Sequence, residues 1–161
     1  MFISRWDKAV IGKVPKELQD RLGIAIARRT YKAYRELLVS PRCLKAFEAG
    51  AQPQRLLWAS TGTKDPQASD VLYVRALAAP DTINTIPEKT LLAFADHGVP
   101  GGILPADGGD AERVIAEFAQ AGIDAEKLAA DLQREGADSF VASWQDLLDR
   151  IATKASALKA A

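Results

Sequence analysis

The sequence is poor in cysteine and histidine: its 161 residues include one of each, Cys43 and His97. A single cysteine excludes an intramolecular disulfide framework and is typical of a reducing compartment, so we expect a cytoplasmic protein. A catalytic Cys43 would need a histidine close by, and His97 is far away in the chain. We therefore interpret Cys43 as a residue without a catalytic role.

The chain also lacks an excess of either charge and any long apolar run. It has 21 basic and 21 acidic residues, so we expect neither nucleic acid nor a membrane as a partner. The basic stretch from Arg28 to Arg35 is interpreted as a solvated helix face. No apolar segment approaches the ~18 residues of a membrane span, and residues 1–10 lack the apolar centre of a signal peptide.

What the chain does contain is an α/β pattern of one-domain length. Its central stretch has an apolar run, a small polar loop around Gly62, and a β-branched run stopped by Pro87. These features predict strands at Gln54–Ala59 and Thr82–Ile86, the first buried on both faces. Strands alternating with helices favour parallel pairing with right-handed crossovers.

The chain begins with an apolar segment that turns abruptly polar, without a cap or a turn before it. This start is interpreted as the end of a third strand whose beginning is missing, with Arg5 and Asp7 at its carboxyl end. Asp7 has two possible roles, either orienting Arg5 or capping the following helix. Three strands cannot close a barrel, so we expect an open sheet whose bare edges include Phe2–Ile3 and Leu56–Trp58.

Helical periodicity predicts the remaining elements. The first two are a long helix at about Lys16–Val39 and a helix at Arg42–Ala49 ended by Gly50. A short helix through Leu77, capped by Ser69 or Asp70, and a helix at Pro87–Asp96, ended by His97 and a left-handed Gly98, follow the two strands in turn. Three carboxyl-terminal helices are predicted at Asp110–Ala121, at Asp124–Glu135 (ended by Gly136) and at Phe140–Leu158 (capped by Asp138 or Ser139), with a frayed tail at Ala155–Ala161. A polar residue suits a helix carboxyl terminus, so a structural His97 is favoured over a general base.

Several segments carry a family resemblance. They are Phe2-Ile-Ser-Arg-Trp-Asp, Trp58-Ala-Ser-Thr-Gly-Thr-Lys-Asp-Pro, Ser69-Asp-Val-Leu-Tyr-Val, Pro80-Asp-Thr-Ile-Asn-Thr-Ile-Pro, Thr90-Leu-Leu-Ala-Phe-Ala-Asp-His-Gly and the segment from Gly136 to Leu148. The set resembles transaldolases, most of all the bacterial branch that includes fusions to glucose-6-phosphate isomerase. The resemblance covers essentially the whole chain.

The resemblance implies a TIM (β/α)₈ barrel, which needs ~250 residues when complete. The chain would be the carboxyl-terminal part of one, from the end of strand six through strands seven and eight, followed by carboxyl-terminal helices. It would comprise a partial barrel segment at 1–98 and, at 99–161, helices that pack on the same domain. The family's Schiff-base lysine and acid/base carboxylates belong to earlier strands, so no catalytic residue maps here. No metal or organic cofactor is implied.

Three residues are predicted to bind a substrate phosphate: Arg5, Ser60 and Lys64. A phosphate needs a cation, a hydroxyl donor and free backbone N–H groups, which these residues and the loop around Gly62 offer. By resemblance, Arg5 and Ser60 match the family's phosphate-binding positions, whereas Lys64 matches more loosely. The competing interpretation is that both cations are solvated. Lys64 is not expected to form the Schiff base, because a polar loop beside Asp65 keeps it protonated.

The implied activity is transfer of a dihydroxyacetone unit between sugar phosphates in the pentose phosphate pathway. The expected partners are sugar phosphates and either the missing amino-terminal barrel half or a second copy joined through the open sheet edges. The alternative is a non-catalytic module that binds sugar phosphates or docks onto another protein. Thr82 and Asn84, on one side of the last strand, are expected to be structural.

Overall fold

The computed structural model describes residues 1–159, which divide into two compact units, Met1–Ile123 and a second that begins at Asp124. Its elements are α1 (Ile3–Val10), a 3₁₀ turn (Lys16–Leu18), α2 (Leu22–Leu38), α3 (Pro41–Glu48), β1 (Leu56–Trp58), α4 (Leu72–Ala76), β2 (Thr82–Asn84), α5 (Glu88–His97), α6 (Ala111–Gln120) and α7 (Ala125–Lys159). No helix in this range is long and apolar enough to cross a membrane.

The sheet is parallel, as predicted, although both strands are shorter than expected. Trp58 of β1 lies opposite Asn84 of β2, and Phe2 forms a parallel bridge with Ala59. Strand β1 is therefore central, and the prediction that Leu56–Trp58 forms a bare edge is wrong. Burial of β1 on both faces is also wrong, because Trp58 is fully buried whereas Leu57, on the opposite face, is 38% exposed.

Helix α1 begins directly after the bridge at Phe2, so Arg5 and Asp7 lie on a helix and not at the end of a strand. The sequence analysis did not predict that a helix begins here. The first two N–H groups of the helix still follow the strand pattern: Ile3 donates to the carbonyl of Ala59 (2.9 Å) and Ser4 to that of Ser60 (3.0 Å). Two of the amide groups that a helix start leaves unpaired are thus satisfied by the neighbouring strand end.

The long helix predicted from Lys16 begins instead at Leu22. Asp20 separates it from the 3₁₀ turn because its backbone is left-handed, with φ of +57°, a conformation that no α-helix continues through. The structure distinguishes between the two roles considered for Asp7, orienting Arg5 or capping the long helix. One of its carboxylate oxygens accepts a hydrogen bond from the backbone N–H of Gly23, in the first turn of α2, at 3.1 Å. Asp7 therefore caps the long helix.

The core of the first unit lies between the buried face of the sheet and helices α2 and α4. Its fully or nearly fully buried members are Ile3, Ala27, Tyr31, Trp58, Tyr73, Leu77 and Leu104. Apolar burial of this kind provides most of the stabilisation of such a unit. It also places the carboxyl end of β1 against α1 and α4.

The basic stretch of α2 remains partly exposed, and its side chains are paired with acidic ones. Arg29 makes a two-point contact with Glu112 at the start of α6, with N–O distances of 2.7 and 2.5 Å. Arg28 pairs with Asp110, and Arg35 pairs with Asp81 at 2.5 Å. These pairs neutralise the stretch and join α2 to α6 and to the start of β2.

Two predicted helix ends differ from the structure. Gly98 follows α5 in an extended conformation, with φ of −69° and ψ of 129°. A Cβ on Gly98 would approach the carbonyl oxygen of Phe94 to 2.4 Å, so close packing and not a left-handed turn requires glycine there. Ser69 accepts the N–H of Val71 in a local turn before α4, and neither Ser69 nor Asp70 caps that helix.

Helix α7 is continuous where two helices and a break at Gly136 were predicted. Asp124 caps its start as expected, accepting the N–H of Lys127 at 3.0 Å. Because an interior glycine costs only ~1 kcal/mol relative to alanine, the strong helix formers around Gly136 carry the helix through it. Asp138 and Ser139 therefore cap nothing. Of the tail predicted to fray, residues 155–159 are helical, and the rest lies outside the described residues.

Gly23 offers a direct test of the packing around Asp7. A Cβ at this position would lie 2.5 Å from Oδ2 of Asp7 and 2.8 Å from the carbonyl oxygen of Ile3. We expect Gly23→Ala to lower the free energy of unfolding by about 2 kcal/mol or more, although the same change in an unconstrained helix is stabilising. Urea unfolding followed by circular dichroism measures the effect.

The matched control is Gly102→Ala, since a Cβ on Gly102 meets nothing within 4 Å. Its free energy of unfolding should stay within about 0.5 kcal/mol of the parent value. Equal effects of the two substitutions would contradict the packing described for Gly23.

Candidate functional site

Three parallel backbone segments end at the same edge of the sheet. They are the bridge at Phe2, strand β1 and strand β2. The pairing continues past the strands, because the N–H of Thr85 donates to the carbonyl of Trp58 at 2.9 Å. In α/β folds with parallel strands, ligands bind at the carboxyl ends of the strands. The edge of the sheet where the carboxyl ends of these segments lie is therefore the candidate site.

Ser60 lies at this edge in a strained conformation. Its φ of +54° is in the left-handed region, which is uncommon for a residue other than glycine. The surroundings hold it there: its carbonyl accepts the N–H of Ser4, and the hydroxyl of the fully buried Thr61 donates to Oδ1 of Asn84 at 2.7 Å. Strain that neighbours maintain in this way is typical of functional loops.

Asn84 and Thr82 have the structural roles that were expected of them. Asn84, the last residue of β2, anchors Thr61 and thereby fixes the loop after β1. The hydroxyl of Thr82 donates to the carbonyl of Ala79 at 2.7 Å. Sequence reasoning placed both on one side of the strand but did not identify Thr61 as the partner, since only the register of β1 and β2 brings the loop and the strand end together.

Arg5 lies in the first turn of α1 and is half-buried. Its guanidinium carbon sits 4.3 Å from the centroid of the Phe2 ring, a cation–π contact. The residue before it, Ser4, is bonded to Ser60 through the backbone. The structure therefore places Arg5 and Ser60 on adjoining backbone segments of the same edge.

Lys64, on the loop after β1, borders a cavity. It is exposed and lines a cavity of about 450 Å³, together with Asp7, Val10, Ile11, Lys16, Gln19, Asp20, Asp65, Pro66 and Gln67. Neither Arg5 nor Ser60 lines this cavity as the structure describes it. Three of its lining residues are aspartates, which repel an anion. The phosphate role of Lys64 stays a prediction, with less support from geometry than the roles of Arg5 and Ser60.

Asp7 is the most enclosed charged group near the site, at 4% exposure. Burial raises the pKa of its carboxyl, and the hydrogen bonds from Tyr73 (2.7 Å) and from Gly23 oppose that rise. Burial and the neighbouring Asp7 in turn raise the pKa of Tyr73. Sequence reasoning did not find Tyr73, since no pattern in the chain marks a tyrosine as the partner of a carboxylate 66 positions earlier.

His97 is held between two carboxylates, at 2.9 Å from Asp70 and 3.1 Å from Asp96. These contacts, that with Asp70 first, raise the pKa of His97, which favours the protonated form and the structural interpretation over a general base. No group of three or more histidine, cysteine, aspartate or glutamate side chains within residues 1–159 is arranged to hold a metal ion.

Asp20 makes the cavity beside Lys64 sensitive to pH. Burial, followed by the negative charges of Asp7 and Asp65, raises the pKa of Asp20 to about 6. The folded chain thus binds this proton more tightly than the unfolded chain, whose aspartate has a pKa of ~3.9. The resulting stability is present below about pH 4 and is lost as the pH rises through 6.

Asp20→Asn should therefore have a pH-dependent effect on stability. Asparagine tolerates the left-handed backbone and carries no charge, so we expect little change at pH 4 and a gain at pH 7.5 of at most about 1 kcal/mol, since the side chain is partly solvated. Urea unfolding at both pH values measures this, with the exposed Glu48→Gln as control. A gain of the same size at both pH values would contradict the repulsion described here.

Comparison with known proteins identifies the family. Residues 1–151 match the family model of transaldolase/fructose-6-phosphate aldolase. The chain is 45% identical over 158 residues to a transaldolase of Parafrankia sp. (strain EAN1pec), covering 93% of this chain and 43% of that protein. It is 42% identical over 164 residues to the transaldolase of Thermobifida fusca (97% and 45%), and 44% identical over 168 residues to that of Arthrobacter sp. strain FB24 (99% and 45%).

The chain spans less than half the length of these curated relatives. The matches nevertheless run through every element from α1 to α6 and into α7, including the edge that carries Arg5 and Ser60. The parallel strands alternating with helices agree with the α/β barrel fold that the family implies. The chain therefore belongs to the transaldolase/fructose-6-phosphate aldolase family.

Proposed function

We propose that this chain forms the phosphate-binding part of a transaldolase, which transfers a dihydroxyacetone unit between sugar phosphates in the cytoplasmic pentose phosphate pathway. The observation that carries the proposal is the strained Ser60 at the carboxyl end of β1, beside the segment of Arg5, in a chain of this family. In (β/α)₈ barrels, phosphate sites commonly use the loops after strands seven and eight. The segment at Phe2, β1 and β2 correspond in this proposal to strands six, seven and eight.

Each residue has a distinct task in the proposed site. Arg5 supplies a guanidinium that is always charged and that matches two phosphate oxygens at once. Ser60 supplies a hydroxyl, and its left-handed backbone turns the following N–H groups away from the strand direction, as in backbone nests that bind anions. The bond between Thr61 and Asn84 keeps this loop in place before the substrate arrives.

The covalent chemistry is assigned to a lysine outside this chain. Lys64 is exposed and lines a cavity that three aspartates also line, and the proposal gives it no covalent role. The proposed partner is the amino-terminal part of the barrel, which would supply the lysine and pair with the sheet edges. On these edge segments the side chains of Phe2 (41%) and Ile83 (44%) are exposed.

Complementation tests this proposal. The chain is mixed with a separately produced amino-terminal segment of the Thermobifida fusca transaldolase, covering the part that this chain does not match. We expect transfer from fructose 6-phosphate to an aldose phosphate, and borohydride should trap a Schiff base on the added segment. Binding of fructose 6-phosphate without transfer would instead support the non-catalytic module.

Arg5→Ala and Ser60→Ala test the phosphate site within the reconstituted enzyme. Loss of a charge-assisted hydrogen bond costs ~1.5–3 kcal/mol, so KM for fructose 6-phosphate should rise by roughly 10- to 100-fold with Arg5→Ala and less with Ser60→Ala. Turnover of unphosphorylated fructose should not change. The control is Arg42→Ala, an exposed arginine on α3.

A reconstituted enzyme in which Arg5→Ala behaves like Arg42→Ala would overturn the assignment of Arg5. Equal losses on fructose and on fructose 6-phosphate would show that Arg5 and Ser60 support the fold and do not bind phosphate. Absence of any transfer, with both segments folded and associated, would contradict the enzymatic part of the proposal.

A further inference from the structure

A second cavity of the first unit carries two arginines and no carboxylate. It has a volume of about 370 Å³, and its lining comes from α2, from α4 with the residue Ser69 before it, and from the loop 101–105. Arg28 and Arg75 line it, and none of the described residues around it is acidic. All of them belong to the unit Met1–Ile123. The cavity beside Lys64, in contrast, is lined by three aspartates.

The wall that the loop forms is fixed to the end of α4. A Cβ on Gly101 would lie 2.5 Å from the carbonyl oxygen of Arg75, so the loop backbone lies directly against the helix and only glycine fits there. Further along the loop, the N–H of Leu104 donates to the carbonyl of Ala78 at 2.8 Å, and the Leu104 side chain belongs to the buried core. The cavity is therefore formed without a ligand, and a ligand need not order the loop in order to bind.

The ion pair of Arg28 leaves part of its guanidinium group unused. Arg28 pairs with Asp110, but Asp110 also pairs with Arg113 at 2.9 Å. The Nε atom of Arg28 is buried and has no hydrogen-bond partner among the described residues. In this group three arginines share two carboxylates, which leaves one positive charge in excess; its members are Arg21, Arg28 and Arg113 with Asp110 and Glu117.

Arg75 adds a second cation, which has no partner in the part of the chain that the structure describes. Its side chain is exposed, and no residue within 1–159 accepts a hydrogen bond from it or forms an ion pair with it. The backbone N–H groups of Gly101, Gly102 and Ile103 likewise have no acceptor in this range. Guanidinium groups and successive free N–H groups are the donors that bind phosphoryl and carboxylate oxygens in proteins.

The rest of the cavity is apolar. Leu72 and Ala76 of α4 line one side, and Ile103, Leu104 and Pro105 of the loop line the other. The volume lies within the range of small-molecule sites, ~300–1,000 Å³. A ligand that suits this lining therefore combines an oxyanion group with a compact apolar body.

We propose that this cavity binds a small organic anion. Its phosphoryl or carboxylate group contacts Arg75 and Arg28, and its apolar body contacts Leu72 and the loop. Neither Arg5 nor Ser60 is among the described residues that line the cavity. The proposal is therefore independent of the phosphate site at the edge of the sheet.

Titration of the ¹⁵N-labelled full chain with three matched probes, followed by two-dimensional NMR, tests the site. The probes are phenyl phosphate, benzoate and the neutral benzyl alcohol. We expect phenyl phosphate to bind most tightly and to shift the amide signals of Gly101, Gly102 and Ile103, because its phosphoryl group carries more charge than a carboxylate. Benzyl alcohol should bind at least about tenfold more weakly. Tighter binding of benzoate than of phenyl phosphate would identify carboxylates as the ligands of the proposed site.

Substitutions of Arg75 test its contact with the anion. Arg75→Ala should raise the dissociation constant of phenyl phosphate at least about tenfold, because a charge-assisted contact is lost. Arg75→Lys should raise it less, because the charge remains. The matched control is Arg42→Ala, which removes an exposed arginine of α3 that does not line the cavity as described. Circular dichroism should show that all three variants keep the fold.

Arg5→Ala separates this cavity from the edge of the sheet. It should leave the shifts at Gly101 and Gly102 unchanged. Shifts that are confined to residues 60–64 and that disappear with Arg5→Ala would overturn the proposal, because the anion would then bind at the edge. Equal losses of affinity with Arg75→Ala and Arg42→Ala would also overturn it, as would the absence of any shift at Gly101 and Gly102 with millimolar phenyl phosphate or benzoate.

Discussion

The first unit depends on one buried carboxylate. Asp7 accepts hydrogen bonds from the first turn of α2 and from the hydroxyl of Tyr73 on α4, so a single side chain joins three helices. A buried charge is costly unless it is hydrogen-bonded, and these donors meet that requirement. Gly23 belongs to the same arrangement, because any side chain there would displace either the carboxylate or the backbone of Ile3. Helix α1, which carries Arg5 as well as Asp7, is thereby joined to α2 and α4.

One short helix, α1, connects the candidate site to the buried carboxylate of Asp7. Helix α1 takes its first N–H bonds from the carbonyls that follow β1, including that of Ser60, and holds Asp7 further along. The helix therefore connects the strained loop to the core. The edge carries the cation Arg5, whereas the cavity with Lys64 is lined by three aspartates. Burial, together with the charges of Asp7 and Asp65, raises the pKa of Asp20 in that cavity.

Local patterns in the sequence predicted most elements because each depends on neighbours in the chain. The apolar run before Ser60, the cap at Asp124 and the glycine after α3 are of this kind. The failures have other causes. The start of α1 is set by hydrogen bonds to the distant Ala59 and Ser60, whereas the extended Gly98 is set by close packing on Phe94, four residues earlier. At Gly136 the helix-ending effect of a single glycine was overestimated.

The sequence by itself determined the family, the two parallel strands with a helix between them, and Arg5 and Ser60 as candidates, since motifs and periodicity are properties of the linear chain. Only the tertiary structure decided that Asp7 caps α2, that Thr61 and Asn84 hold the loop of Ser60, and that Lys64 lies among aspartates. These facts depend on which distant residues meet in space, and hydrogen bonds and burial between such residues leave no periodic signal along the chain.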